Sequence, residues 1–129
     1  MELSAGLSAA VELIVTDADT ASAVGSGDVP VLATPRVVAL VEAATIAAVE
    51  PHLEPASTTV GTRVELDHHA PTLVGATVVA EARLSSVDGR KLSFEVVLRE
   101  GTAVTAQGRV DRVVVDRERF LAKASAKPS

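Results

Sequence analysis

One acidic side chain lies in the middle of an otherwise apolar stretch of the chain. Between Arg36 and Glu50 the residues are Val-Val-Ala-Leu-Val-Glu42-Ala-Ala-Thr-Ile-Ala-Ala-Val. Burying a lone carboxylate is costly unless it is paired or hydrogen-bonded. Glu42 is therefore a helix-surface residue, a partner of Arg36 or of an arginine on a strand, or a carboxylate held in an apolar pocket where it could act as a base or nucleophile.

A threonine and a histidine could act on the same group. Thr34 precedes the apolar stretch, at a place where threonine commonly caps a helix beside free backbone N–H groups that favour negative charge. His68 ends an alternating segment on its apolar side, and an imidazole can transfer protons near neutral pH. The structural alternatives are a simple helix cap and a strand-end histidine. His52 and His69 are predicted to point outward, and without an i, i+4 pair of histidines no metal site is predicted.

Arg112 is the cation that the alternation places on an inner face. It shares parity with the apolar residues of its segment, which are Val104, Ala106, Val110 and Val114. It is either an arginine at a strand end or a cation for a phosphate or carboxylate at the mouth of a pocket. Gly108 in the same segment could form a bulge and reset the parity.

One long helix and five strands must position these residues. Thr34-Pro35 and Pro51 bound a helix over 34–50, in which Thr34 and Glu42 would lie about 12 Å apart along the axis and about 80° apart around it. Both residues could therefore border one elongated cavity. Alternating apolar and polar residues predict strands over 7–15, 58–68, 76–86, 91–100 and 103–115. Asp88-Gly89 predicts a two-residue hairpin, and residues 17–30 are predicted to be a mobile connection with room for a short helical turn.

The helix is apolar on all sides, which is typical of a helix buried on most sides. In a chain of 129 residues, either the sheet must curl around this helix or a second chain must cover it. One long helix wrapped by a curved antiparallel sheet matches the hotdog fold, of the α+β class, which usually pairs two protomers. We predict a single hotdog domain over residues 1–121 and a frayed tail over 122–129.

Composition excludes several classes of function. The chain has no cysteine, which excludes disulfides, zinc–thiolate sites and a cysteine nucleophile. A net charge of -5 and an aromatic content of 2% argue against nucleic-acid binding, which needs a basic surface or stacking side chains. The N-terminus has no basic region followed by an apolar one, and no apolar run approaches the roughly 20 residues of a membrane span. We therefore expect a cytoplasmic protein that does not bind membranes.

The chain resembles the hotdog-fold acyl-CoA thioesterases, and within them the fluoroacetyl-CoA thioesterase-like group. The segments that carry the resemblance lie between about residue 30 and residue 123; they are Ala33-Thr34, Val41-Glu42, His52-Leu53-Glu54-Pro55, Gly61-Thr62 leading to His68, Ser86-Val87-Asp88-Gly89-Arg90-Lys91-Leu92, and Phe120-Leu121-Ala122-Lys123. The resemblance implies an acyl-CoA substrate, no cofactor, and a homodimer that could pair into a tetramer.

The resemblance also implies roles for single residues. Thr34, Glu42 and His68 would be catalytic, with Glu42 attacking the thioester carbonyl or activating water and His68 assisting proton transfer. The backbone at Gly61 would lie against the thioester, and Arg112 would contact coenzyme A. Fluoroacetyl-specific members are expected to carry bulky aromatic residues just before the helix. Residues 24–30 here contain none, so another small or medium acyl group is an equal alternative.

Two other functions remain as alternatives. A hotdog hydratase or dehydratase expects an aspartate and a histidine a few residues apart near the helix, whereas this helix carries Glu42 and no histidine. A non-catalytic module that binds acyl thioesters would need only the sparse polar groups found here. Release of free thiol from an acyl-CoA separates an enzyme from a binding module.

Overall fold

The computed structural model describes residues 2–127. The helices and strands, in chain order, are β1 (Ser8–Ile14), α1 (Ala21–Val24), α2 (Thr34–Val49), β2 (Ser57–His68), β3 (Thr77–Asp88), β4 (Lys91–Glu100), β5 (Ala103–Asp116) and α3 (Arg117–Ser125). Short 3₁₀ turns over Asp17–Asp19 and Glu50–His52 precede α1 and follow α2. The predicted long helix and five strands are all present, and the predicted helical turn in the first connection is α1.

The five strands form one antiparallel sheet in the order β1-β3-β4-β5-β2. Strands β3, β4 and β5 form a meander, whereas β2 and β1 form the two edges. The hairpin between β3 and β4 is one residue later than predicted. Asp88 pairs with Lys91, so the two turn residues are Gly89 and Arg90, and Gly89 supplies the positive φ of 60° that this turn needs.

Helix α2 lies on one face of the sheet and forms the core with it. The residues of α2 that face the sheet are buried, among them Val37, Val41 and Ala44. The inward-facing residues of β3 and β4 alternate as predicted and are buried against them; they are Val78, Ala80, Ala82, Leu84, Leu92, Phe94, Val96 and Leu98. Residues 2–127 leave the other side of α2 uncovered, as the exposed side chains of Ala39, Ile46 and Ala47 show. An uncovered apolar helix face is what the sequence predicts for a chain that pairs with a second copy.

The start of α2 differs from the prediction. Ala33, not Thr34, is the N-cap, and its backbone oxygen accepts from the N–H of Arg36 and of Val37, each at 3.0 Å. No side chain caps the start of α2. The 3₁₀ turn before it fixes this end of the helix instead, because Ala33 N–H donates to the Asp19 carbonyl at 2.9 Å. Arg36 Nε donates to Asp19 Oδ1 at 2.8 Å, which excludes Arg36 as the partner of Glu42. The Thr34 side chain is therefore free of capping.

A β-bulge in β2 divides the strand into two halves with opposite parity. Gly61 pairs with Arg112 and Arg63 pairs with Asp111, so Thr62 is an extra residue without a partner across the sheet. In a regular strand that ends on an inward His68, all even-numbered residues would face inward. In β2 they do so only after the bulge, from Val64 onward. Before the bulge the odd positions Thr59 and Gly61 face inward. The bulge thereby places Gly61 opposite Arg112 on the inner face.

The bulge is not at Gly108, where the sequence allowed one. Gly108 pairs with Leu66 in unbroken register. A side chain at Gly108 would place its Cβ 1.9 Å from the Glu65 backbone oxygen, so a close backbone approach is the reason for glycine there.

The predicted tail begins inside a helix. Helix α3 runs to Ser125, so residues 122–125 are helical rather than frayed, and residues 128–129 lie outside the described part of the chain. The helix forms because Asp116 caps it, with Oδ1 accepting from Arg119 N–H at 3.0 Å, and because alanine and lysine favour helix. Across residues 2–127, we find no helix with the length and apolar character needed to span a membrane.

Candidate active site

Glu42 is paired with Arg112, a buried arginine on β5. Arg112 Nη1 donates to Glu42 Oε2 at 3.0 Å, and the Arg112 side chain is only 5% exposed while that of Glu42 is 31% exposed. Burial lowers the pKa of Arg112 from its usual value, and the neighbouring Glu42 charge opposes that shift. Of the alternatives for Glu42, the structure contains the ion pair with an arginine on a strand. This pair leaves the Glu42 carboxylate partly exposed to solvent.

Gly61 lies directly against this carboxylate. A Cβ added at Gly61 would lie 2.5 Å from Glu42 Oε2 and 3.4 Å from Arg112 Nη1. Gly61 is itself exposed, so this part of β2 is open to solvent beside Glu42. The absent side chain therefore creates the space in which the carboxylate sits, with solvent access on one side.

We expect Gly61→Ala to push the Glu42 carboxylate away from its position; for the thioesterase activity that the sequence resemblance implies, kcat should then fall about 10²-fold. The fold should survive, since Gly61 is exposed and needs no positive φ. The measurement is steady-state thiol release together with a thermal unfolding curve. Thr62→Ala is the control, because it alters the adjoining bulge residue and adds no atom near Glu42. Equal kcat in Gly61→Ala and wild type would contradict this assignment of the space.

Thr34 and His68 form a second pair. Thr34 Oγ1 and His68 Nδ1 are 2.8 Å apart, at the beginning of α2 and the end of β2. Burial lowers the pKa of the His68 imidazole, so the ring is neutral at pH 7. His68 Nε2 is buried and has no hydrogen-bond partner among residues 2–127. A neutral imidazole that is hydrogen-bonded through Nδ1 and has no partner at Nε2 can exchange a proton with a bound molecule.

The two pairs are separated within one chain. Thr34 and Glu42 are eight residues apart on α2, about 12 Å along the axis. Gly61 and His68 are seven residues apart on β2, on the order of 20 Å for an extended strand. A cavity of about 340 Å³ adjoins Thr34 and His68, whereas a different one, of about 410 Å³, is lined by Ile46, Leu53 and Thr59 near the Glu42 end.

All five residues singled out in the sequence therefore fall into two clusters: Thr34 with His68, and Glu42 with Gly61 and Arg112. His69 is exposed, as predicted, and lines the same cavity as the first cluster, but its Nε2 is bonded elsewhere, 3.1 Å from the Val104 oxygen. The sequence reasoning missed Thr59, which bonds Arg112 in the second cluster. Its inward direction follows from the bulge at Thr62, and the only sequence signal for that bulge is the Gly61-Thr62 pair.

Comparison with known proteins gives the family. Residues 15–118 match the family described as fluoroacetyl-CoA-specific thioesterase (FlK). A fluoroacetyl-CoA thioesterase from Streptantibioticus cattleyicolor is 39% identical over 97 residues, which are 75% of this chain and 70% of that protein.

Solved structures agree with that assignment. A structure of the fluoroacetyl-CoA thioesterase FlK matches with a TM-score of 0.92 and 31% identity, covering 100% of both chains. A variant of FlK in complex with fluoroacetate and CoA matches with a TM-score of 0.86 and 31% identity, over 92% of this chain and 99% of that one. The family match spans most of the chain, and the predicted hotdog fold is confirmed. The chain therefore belongs to the fluoroacetyl-CoA-specific thioesterase family and is a thioester hydrolase.

Proposed function

We propose that the protein hydrolyses the thioester of a small or medium acyl-CoA, giving the free acid and coenzyme A, with Glu42 as the catalytic carboxylate. The observation that carries the proposal is the Glu42 carboxylate itself. Arg112 holds one of its oxygens at 3.0 Å, the absent side chain of Gly61 leaves room beside it, and the group is 31% exposed. Glu42 lies midway along the apolar helix α2, and its carboxylate is held in place and partly exposed. It can therefore act on the carbonyl carbon of a bound thioester.

In this reaction the C–S bond of the thioester breaks and a C–O bond forms. Glu42 either attacks the carbonyl carbon and gives an anhydride that water opens, or removes a proton from the water that attacks. The thiolate of coenzyme A leaves and takes a proton. We assign His68 to that transfer: its neutral ring accepts the proton that the attacking water releases and passes it on to the thiolate, while Thr34 holds the imidazole. The expected contact between Arg112 and coenzyme A stays a prediction; the observed bonds of Arg112 are to Glu42 and Thr59.

We infer that two copies of the chain form one site together. Glu42 and the Thr34–His68 pair are too far apart in a single chain to act on one carbon. Strand β2 is an edge strand, and α2 has an exposed apolar face that includes Ala39 and Ile46. Pairing the β2 edges of two copies antiparallel brings the His68 end of one copy toward the first half of the other β2, beside Glu42. A further pairing into a tetramer and a cytoplasmic location stay predictions from the sequence.

The acyl group is the least constrained part of the proposal. Residues 24–30 have no aromatic side chain, and Ser26, Gly27 and Val29 line the cavity beside Thr34 and His68. Small side chains leave this cavity open to acyl groups larger than two carbons. Fluoroacetyl-CoA is therefore one candidate among the short acyl-CoAs rather than the expected preference.

The test is release of free thiol from acetyl-, fluoroacetyl-, propionyl- and butyryl-CoA, followed with a thiol reagent. We expect turnover of at least one of them well above the spontaneous rate, with fluoroacetyl-CoA not strongly preferred over acetyl-CoA. Tight binding of all four without thiol release would favour a non-catalytic acyl-thioester module. Strong preference for fluoroacetyl-CoA would contradict our interpretation of residues 24–30.

A further inference from the structure

The Arg112 guanidinium is held on three of its sides, and one residue supplies two of the three bonds. Its Nε donates to Thr59 Oγ1 at 2.9 Å and its Nη2 donates to the Thr59 backbone oxygen at 3.0 Å. The remaining nitrogen, Nη1, donates to Glu42 Oε2 at 3.0 Å. Because a guanidinium is planar and rigid, fixing Nε and Nη2 also fixes the direction of Nη1.

The sheet brings these groups together on one inner face. Thr59 pairs with Val114 and Gly61 pairs with Arg112, so Thr59 and Arg112 are diagonal neighbours on adjacent strands. The bulge at Thr62 is what turns Thr59 inward. Thr59 is buried with 9% of its surface exposed, and Arg112 with 5%, so water does not compete for these bonds.

We propose that Thr59 is a positioning residue for catalysis, because its hydroxyl and carbonyl orient Arg112 so that Nη1 holds the Glu42 carboxylate in one place. The inference rests on the proposed role of Glu42. Thr59 acts on the reaction through Arg112. Without the hydroxyl, Nε–H has no acceptor in a buried place, and the guanidinium turns to find one. After this rotation, Arg112 Nη1 no longer points at the Glu42 carboxylate.

The test compares Thr59→Val with Thr59→Ser. Valine keeps the shape and removes the acceptor, so we expect kcat to fall about tenfold while KM changes by no more than about twofold. Serine keeps the hydroxyl, so kcat should stay within about twofold of wild type. Thr105→Val is the matched control. Its hydroxyl is also buried and donates to the Leu98 oxygen at 3.3 Å, but it has no bond to Arg112 or Glu42. This control should lower thermal stability and leave kcat unchanged.

Two outcomes would overturn the proposal: unchanged kcat in Thr59→Val, or an equal loss in Thr59→Val and Thr59→Ser. A double variant separates this failure from failure of the proposed function. If Thr59 acts through Glu42, Thr59→Val should cause no further loss in a Glu42→Gln background. If Glu42→Gln alone is fully active, the proposed catalytic role of Glu42 is wrong, whatever Thr59→Val does. Thermal unfolding of each variant confirms that a folded protein is being compared.

Discussion

Glu42→Gln should lower the rate of thioester hydrolysis by about 10³-fold or more, because an amide neither attacks a carbonyl carbon nor takes a proton from water. The fold should persist. Glutamine has the same shape, and its amide oxygen can still accept from Arg112 Nη1, which is 3.0 Å from Oε2 in the native pair. We expect the free energy of unfolding to change by no more than about 1–2 kcal/mol, since one side of the pair is partly exposed.

The measurement is thiol release under single-turnover and steady-state conditions, with chemical unfolding in parallel. Glu12→Gln is the matched control, because it makes the same change of charge on an exposed residue of β1, away from both clusters. Activity of Glu42→Gln within tenfold of wild type would exclude Glu42 as the catalytic carboxylate. Total loss of folded protein would instead show that Glu42 is needed mainly to balance the buried Arg112 charge, and Glu42→Asp would then be compared for activity.

The inner and outer faces of β1 and β4 could be predicted from the sequence because these strands keep an unbroken period of two. In β3 and β5 the prediction holds along most of the strand, up to one extra residue at Ser85 and after one at Thr105. The inward residues of β3 and β4, from Val78 to Leu98, are buried where alternation puts them. The long helix was equally predictable, because Pro51 ends it and apolar residues fill it. Strand alternation and the proline that ends the helix are both local patterns, and the folded chain keeps the structures that they predict.

The strand that carries the site could be predicted only in part. A one-residue bulge inverts parity, and nothing in Gly61-Thr62 alone distinguishes a bulge from regular strand. Regular alternation along this strand puts Thr59 on the outer face, opposite to its true direction, and so does not predict its bonds to Arg112. The partner of Glu42 also depends on which strands become neighbours, since Arg112 lies seventy residues later in the chain. Such contacts between distant segments are fixed by the sheet order, which alternation does not encode.

His68→Asn should reduce hydrolysis by about 10²–10³-fold, because asparagine can still bond Thr34 but cannot carry a proton. The pH dependence should change as well. Burial lowers the pKa of His68 below its usual value of 6.5. The native ring therefore becomes protonated only at a pH lower than 6.5. Wild-type activity should fall as His68 becomes protonated, and His68→Asn should lose that part of the profile. His52→Asn, on the exposed turn that follows α2, is the control and should leave both rate and profile unchanged.

Mixing two inactive variants tests whether Glu42 and His68 act from different copies. In a dimer of one Glu42→Gln chain and one His68→Asn chain, one of the two sites then contains a native Glu42 and a native His68, while the other contains both substitutions. Random exchange makes half of the dimers mixed, so the activity should return to about a quarter of the wild-type value. If both residues came from the same copy, every site would carry one substitution and the mixture would stay inactive. The assay needs prior unfolding and joint refolding to ensure exchange, with each variant refolded alone as the control. Recovery would show that Glu42 and His68 of one site come from different copies, which accounts for the distance between the two clusters within a single chain.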